Sequence, residues 1–326
     1  MRVLVVGGAG YIGSVTTAQL LAAGHQVVVY DNLSAGHRQA VAPDARLVVG
    51  DTREEVALGD LFSSQAIDAV VYYGGLIAAG ESMREPGRYF AHNIGGVVTL
   101  LNAMLAHGVR RFVFSSSAAV YGEPEARPIT EAAALRPINP YGETKAAVER
   151  LLRWYDSQCG LRYVSLRYFN AAGATELLGE DHRPETHLIP IVLQVALGQR
   201  EYVPLYGSDY PTADGTCICD YIHVVDLARA HLLALERCEE GSAVYNLGNG
   251  QGFSNWQVIA AARRVTGHPI AVREEGRRPG DPAVLVAAAA KAERELGWRP
   301  QITALEAIVG SAWRWHRSHP RGYNTA

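Results

Sequence analysis

The sequence predicts an α/β protein: a doubly wound parallel sheet with a smaller C-terminal lobe. Three observations carry this. Short Val/Ile-rich runs alternate with amphipathic helical stretches through the first half, a glycine-rich turn separates the first run from the first helix, and after about Asn170 the alternation loosens. Strands alternating with helices imply a parallel sheet covered on both faces.

Taken in order, strands are predicted at Val3 to Val6, Gln26 to Tyr30, Arg46 to Val49, Ala69 to Tyr73, Arg111 to Ser115 and Tyr163 to Tyr168. Between them lie helices such as Ile12 to Ala23 and Asn93 to His107, where Ile94, Val97, Val98, Leu101 and Leu105 recur at helical spacing. Beyond Asn170 come Gly/Pro-rich connections around Glu180 to Pro190 and Tyr206 to Gly215, without internal repeat or low-complexity linker. The division expected is therefore residues 1–170 as the sheet domain and 171–326 as mainly the lobe. A segment near 219–227, with Cys219 to His223 as a strand, is expected to return to the first domain.

Composition bounds the function. A chain of 326 residues, 48% hydrophobic and 19% charged, is globular and can bury a substantial core. Its formal net charge is −3 and its basic residues are scattered, so neither a nucleic-acid backbone nor an anionic membrane is an expected partner. The longest apolar runs fall far short of the roughly 20 residues of a membrane helix, and Met1 to Val6 runs straight into glycines with no cleavage-site pattern. The four cysteines, Cys159, Cys217, Cys219 and Cys238, form no CxxC pair and have no histidine at metal spacing. No metal centre and no disulfide framework is expected, and a reducing cytoplasm is the expected location.

Gly7, Gly10 and Gly13 give G-x-x-G-x-x-G between the first strand and the first helix. Such a turn lets backbone N–H groups approach a pyrophosphate, and the helix N-terminus adds partial positive charge. Asp31 ends the second strand 18 residues beyond Gly13, where a carboxylate accepts hydrogen bonds from ribose hydroxyls and repels a 2′-phosphate. The fold is thus a Rossmann sheet, with NAD favoured over NADP. Asp31 also suits a turn-capping role toward Asn32, Leu33 and Ser34. Asp51, after the third strand, is placed to accept from an adenine amino group.

Pro140-Tyr141-Gly142-Glu143-Thr144-Lys145 puts Tyr141 and Lys145 at i and i+4 on one face of a helix that Pro140 can open. A tyrosine pKa of about 10 is too high for a general base at neutral pH, and a nearby ammonium together with the nicotinamide cation lowers it. Ser117 closes a Ser115-Ser116-Ser117 run 24 residues before Tyr141, and a hydroxyl at the carboxyl end of a strand faces the crevice where such sheets bind ligands. The predicted catalytic residues are Ser117, Tyr141 and Lys145.

These motifs and several others stand in one order. They are GGAGYIGS (Gly7 to Ser14), DNL (Asp31 to Leu33), GES (Gly80 to Ser82), SSSAAVYG (Ser115 to Gly122), NPYGETK (Asn139 to Lys145), LRYFN (Leu166 to Asn170), DYPTADG (Asp209 to Gly215), DYIHVVDL (Asp220 to Leu227) and RRPGD (Arg277 to Asp281). Over essentially its whole length the sequence resembles the UDP-galactose 4-epimerases of the extended short-chain dehydrogenase/reductase group. The glycine turn and YxxxK are shared by many dehydrogenases, whereas the last four motifs are specific to the UDP-sugar branch.

The resemblance implies interconversion of UDP-glucose and UDP-galactose, extending to the N-acetylated pair, through a 4-keto intermediate with tightly bound NAD, in a homodimer. It implies that Ser117 and Tyr141 address the sugar 4-hydroxyl. NAD contacts fall to Gly7, Gly10, Tyr11, Ile12, Gly13, Asp31, Asn32, Asp51, Thr52, Tyr73, Gly74, Gly75, Asn93, Ser115, Tyr141, Lys145 and Tyr168. Substrate contacts fall to Asn170 at the diphosphate, His187 and Leu188 at the nucleotide, Tyr206 beside the uracil with Leu205 next to it in the substrate set, Arg278 and Asp281 at phosphate and ribose, and Leu285 beside the sugar 2-substituent. Cys219 stands where the family has an arginine near the diphosphate.

Three departures stand out. Tyr72-Tyr73-Gly74-Gly75-Leu76-Ile77 replaces the usual H-F-A-G-L-K, which exchanges a cation for Ile77; Cys219 replaces the arginine; and Tyr72, Tyr73 and Gly74 alter the nicotinamide pocket. Specialisation toward a modified UDP-sugar is one alternative reading. A 4,6-dehydratase is another, opposed by Ala118 and Ala119 where that branch carries an Asp-Glu pair for proton transfer. A non-catalytic NAD-binding regulator is the third, opposed by the intact Ser117, Tyr141 and Lys145.

Overall fold

A computed structural model describes residues 1–324. Its strands are β1 (Arg2–Val6), β2 (Gln26–Asp31), β3 (Arg46–Val49), β4 (Ala69–Tyr72), β5 (Arg111–Ser117), β6 (Arg162–Tyr168), β7 (Asn170–Ala172), β8 (Val203–Tyr206), β9 (Ile218–His223), β10 (Ala243–Leu247), β11 (Gly252–Ser254), β12 (Val272–Glu275) and β13 (Val284–Leu285). The helices are α1 (Tyr11–Ala22), α2 (Glu55–Ser64), α3 (Ala79–Ser82), α4 (Pro86–Phe90), α5 (Gly96–Ala106), α6 (Pro140–Cys159), α7 (Leu188–Ala196), α8 (Val224–Arg237), α9 (Asn255–Thr266), α10 (Ala290–Leu296) and α11 (Leu305–Ser318).

Seven strands pair in the order β10-β6-β5-β4-β1-β2-β3. All six pairings are parallel. The chain reverses direction across the sheet between β1 and β4, the switch point where such sheets open a ligand crevice. The strands are apolar on both faces because both are covered. Val3 and Val5 of β1 face one core with Leu227, Ala230 and Ala234 of α8, while Leu4 and Val6 face another with Leu58 of α2 and Leu101 of α5. Each such fully buried aliphatic side chain contributes roughly 1.5–3 kcal/mol.

Two predicted elements change their limits. The fifth strand runs on to Ser117, so all three serines lie on β5. The helix expected from Asn93 is preceded by a wide turn, Ala91–Gly95, that continues α4 into α5. The segment near 219–227 divides. Its strand, β9, lies at the centre of a small second sheet between β11, β13 and β7, while the helix that follows, α8, packs against α1 and the large sheet. The returning strand of the large sheet is β10. The lobe has its own core, in which Ile189, Val192 and Leu193 of α7 meet Val258 and Ile259 of α9 and Ile308 and Val309 of α11. Among the described residues no helix is long and apolar enough to cross a membrane.

Candidate active site

The glycine turn follows β1 directly. Gly7 has φ +76°, a conformation that favours glycine, and its N–H donates to the Tyr30 carbonyl at 2.9 Å. At Gly13 a Cβ would strike the Gly7 carbonyl oxygen and Gly8 Cα, so only glycine lets α1 start this close to the turn. The first bond of the α1 ladder runs from the Ser14 N–H to the Gly10 carbonyl at 2.9 Å, which leaves the amides of Tyr11, Ile12 and Gly13 at the open end of the helix. A cradle without side chains at a helix N-terminus fits a pyrophosphate.

Asp31 is buried at the end of β2 and accepts from the Ala9 N–H at 3.0 Å and the Leu33 N–H at 2.8 Å. Both sequence readings hold here, because the same carboxylate caps the Leu33 turn and braces the glycine loop. Burial raises its pKa, and the two backbone hydrogen bonds oppose the shift. Asn32 donates to Asp51 Oδ2 at 3.0 Å, and Arg53, bonded to the same carboxylate, holds Asp51 far below the usual carboxylate range. Thr52 lies beside Gly96 at the start of α5. This donor and acceptor set, with an acid and no cation at Asp31, fits NAD.

The residues predicted to be catalytic come together from β5 and α6. Asn139 caps α6 by accepting from the Gly142 N–H at 2.8 Å, Pro140 takes the first helical position, and the Tyr141 N–H donates to Ser82 Oγ at 3.2 Å. Lys145 is buried, and its Nζ donates to the Ser115 carbonyl at 2.7 Å while standing 5.9 Å from the centre of the Tyr141 ring. Ser117 accepts from the Ala119 N–H at 3.2 Å, and its hydroxyl acts to lower the Tyr141 pKa.

Burial dominates the electrostatics of this pair. Burial raises the Tyr141 pKa, with the Ser117 hydroxyl as the opposing influence. Burial also pushes Lys145 down to about 7, against the attraction of Glu149. In the protein by itself the ammonium therefore does not hold the phenol down. It is turned toward the Ser115 carbonyl, and desolvation is the largest influence on both groups.

A buried polar row lines the same strand ends. His231 Nδ1 meets the Leu227 carbonyl at 2.9 Å, which requires the proton on Nδ1, so Nε2 accepts from the Tyr168 hydroxyl at 3.2 Å. Burial pushes His231 down to about 4 and keeps it neutral. The Tyr73 ring packs 4.7 Å from His231. Its hydroxyl donates to Thr16 Oγ1 at 2.6 Å, since Thr16 itself donates to the Ile12 carbonyl at 3.0 Å. Tyr72 points to the opposite face, fully buried beside Phe112 and Phe114. The tyrosine at 73 is thus satisfied within the fold.

Other site residues are placed unevenly. Asn93 is buried and spends its side chain on the protein, accepting from the Leu76 N–H at 2.8 Å and donating to the Leu76 carbonyl at 3.0 Å and Thr144 Oγ1 at 3.1 Å. It fixes the loop of Gly74 and Gly75 against α6. Asn170 Nδ2 donates to the Asp220 carbonyl at 3.2 Å, tying β7 to β9. Leu205 is fully buried in the lobe core, because alternation along β8 turns it away from the face that carries Tyr206. Arg278 Nε donates to both Asp281 oxygens, at 3.1 and 2.9 Å, and its guanidinium lies 5.4 Å from the Tyr206 ring centre. Cys219 is the register partner of Leu285, and burial pushes its thiol up to about 12. Leu188 is partly buried against the lobe core at the start of α7. His187, just before it, turns its Nδ1 to Glu180 at 2.8 Å and Glu185 at 3.1 Å.

The sequence reading passed over several groups here. Glu149 continues the Tyr141 and Lys145 stripe by one more turn, where it pairs with buried Arg167 at 2.5 Å and accepts from Ser116 at 2.5 Å. Spacing alone could have marked Glu149. Arg167 and His231 carried no local signal, because strand register and tertiary packing bring them in.

A dinucleotide turn on one side of the switch point and a tyrosine–lysine helix on the other make this an NAD-dependent enzyme of the short-chain dehydrogenase/reductase class. The chain belongs to the NAD dependent epimerase/dehydratase family, whose model matches residues 3–248. It is 52% identical to the UDP-glucose 4-epimerase of Halalkalibacterium halodurans, over all of this chain and 98% of that one. It is 50% identical to the UDP-glucose 4-epimerase of Lacticaseibacillus casei, over 99% of each chain. Among solved structures it superposes with a TM-score of 0.96 on UDP-glucose 4-epimerase from Bifidobacterium longum in complex with NAD+ and UDP, 39% identical over 99% of this chain and all of that one.

Proposed function

We propose that this chain is an NAD-dependent UDP-hexose 4-epimerase that interconverts UDP-glucose and UDP-galactose. The observation that carries the reading is the junction of Ser117, Tyr141 and Lys145 at the crevice end of β5 and α6, beside a dinucleotide turn. Relatives half identical over nearly the whole chain are UDP-glucose 4-epimerases.

NAD, when bound, supplies a hydride acceptor for C4 of the sugar and a positive ring. The turn from Gly7 to Gly13, Asp31 and the Asn32–Asp51 pair would hold it. The residues of the chain manage the proton. Tyr141 takes the proton from the sugar 4-hydroxyl and returns it to the same oxygen, while Ser117 hydrogen-bonds that oxygen and keeps it against the phenol. Lys145, anchored on Ser115, places its charge beside the phenol and holds the nicotinamide ribose. Tyr206, Arg278 and Asp281 take the uridine and phosphate end, and Leu285 leaves room beside the sugar 2-position, which extends the reading to the N-acetylated pair. A homodimer in the cytoplasm belongs to this proposal on the family resemblance alone.

Ala118 and Ala119 supply no acid or base after Ser117, which weighs against dehydration at C5 and C6. A modified UDP-sugar as the natural substrate is the second reading, favoured by the neutral, partly buried Cys219 beside Leu285. Incubation with UDP-galactose followed by product separation tests the proposal. Equilibration to UDP-glucose supports it, while a keto sugar or unchanged substrate overturns it.

A further inference from the structure

The connection between β7 and α7, which ends at the expected nucleotide residues His187 and Leu188, gathers Glu180, His182, Glu185 and His187, whose ligand atoms lie within 4.8 Å of one another. Glu180 and Glu185 are buried. Glu180 Oε1 stands 2.8 Å from His187 Nδ1 and 3.1 Å from His182 Nδ1, and Glu185 reaches His187 at 3.1 Å and His182 at 3.9 Å. The two carboxylates and two imidazole Nδ1 atoms thus face one point. We propose that this cluster is a zinc(II) site with a two-histidine, two-carboxylate ligand set.

Three features favour a cation over a purely hydrogen-bonded cluster. His182 Nδ1 is buried and makes no hydrogen bond, although Glu180 Oε1 is 3.1 Å away. Glu185 Oε1 already accepts from the N–H groups of Thr186 at 2.7 Å and His187 at 2.8 Å, a backbone clamp that orients it as supporting bonds orient metal-ligating carboxylates. Two carboxylates and two neutral imidazoles balance one divalent ion. Nitrogen and oxygen donors in a set of four suit zinc, and a set complete without substrate is the mark of a structural site.

Position gives the site a role. His182 lies edge-on to Tyr11, with ring centres 6.4 Å apart, and the Tyr11 hydroxyl donates to the Gly173 carbonyl at 2.6 Å. Asp181, between the ligands, receives His37 at its carbonyl, 2.9 Å, and the Tyr323 N–H at its side chain, 3.1 Å. Zinc here would lock the loop before α7 to the first residue of α1 and to the C-terminal turn, bracing the dinucleotide turn from behind. Four ligands within eight residues of one loop also explain why a search for Cys–His spacings passes the site by.

The test is metal analysis and thermal melting of the full chain. Purified protein supplied with zinc chloride and desalted is expected to keep about one zinc per chain. A chelator should lower the melting midpoint, and zinc chloride should restore it. His182→Ala and Glu180→Gln should lose the retained zinc and the chelator effect together. Wild-type protein that keeps no zinc and melts alike with and without chelator overturns the proposal, as does zinc retention unchanged in both variants. The wild-type chelation arm decides even where a variant fails to fold.

Discussion

Lys145 Nζ donates to the Ser115 carbonyl at 2.7 Å and stands 5.9 Å from the centre of the Tyr141 ring, one helical turn back along α6. Burial brings this lysine down to about 7. Its folded pKa thus lies below the unfolded value of about 10.4, and between the two the unfolded chain binds the extra proton. The contribution of Lys145 to stability is lowest below about pH 7 and rises with pH up to about 10. Urea midpoints of cofactor-free wild type and Lys145→Met, measured at several pH values across this window, should diverge in that sense. Parallel curves would remove the claim.

Asp31 braces the glycine loop through the Ala9 N–H, and the proposed function has its charge face the adenosine ribose, where a 2′-phosphate would lie. Like charges brought together cost several kcal/mol, so NADP should bind at least about tenfold more weakly than NAD. Asp31→Asn should narrow the gap while weakening both, since a bracing hydrogen bond is altered. Equal affinities in the wild type, measured by titration, would contradict the assignment.

Cys219 lies in register with Leu285, with Asp281 and Asp220 acting to raise its pKa and Arg278 to lower it. An arginine in its place would add charge-assisted bonds to a diphosphate, on the order of 1.5–3 kcal/mol, or roughly 10- to 100-fold in affinity. Calorimetric titration of UDP into Cys219→Arg should show that gain. Unchanged or weaker binding would point to a pocket reshaped for another sugar.

The Glu149–Arg167 pair is buried on both sides, with side chains 1% and 3% exposed. Removing one partner leaves the other charge buried and uncompensated, at a cost of roughly 3–5 kcal/mol. Glu149→Gln should lower stability by about this amount in chemical unfolding, and a loss under about 1 kcal/mol would show the pair to be dispensable.

The first half of the fold was legible because its signals are local. Val/Ile runs, helical periodicity and a glycine turn at the end of β1 each fix a neighbourhood of a few residues. The helix carrying Tyr141 and Lys145 was readable from i, i+4 spacing and an N-terminal proline. Long-range pairing decided the rest. Nothing near Ala243 announces that β10 joins β6, and Cys219 to His223 reads the same whichever sheet it enters. At the site, the Asn93 bonds to Leu76 and Thr144 were hidden because those partners are distant in sequence. The balance of forces on Lys145 was likewise hidden, since burial is a property of the folded chain.

The central claim is that Tyr141 carries the proton in a UDP-hexose 4-epimerase. Its most direct test is the epimerisation rate of UDP-galactose by wild type and Tyr141→Phe, with bound NAD measured in both. General acid–base groups supply about 10²–10⁴-fold, so the variant should turn over slower by that factor while folding and holding NAD as the wild type does. A Tyr141→Phe rate equal to the wild-type rate would contradict the account.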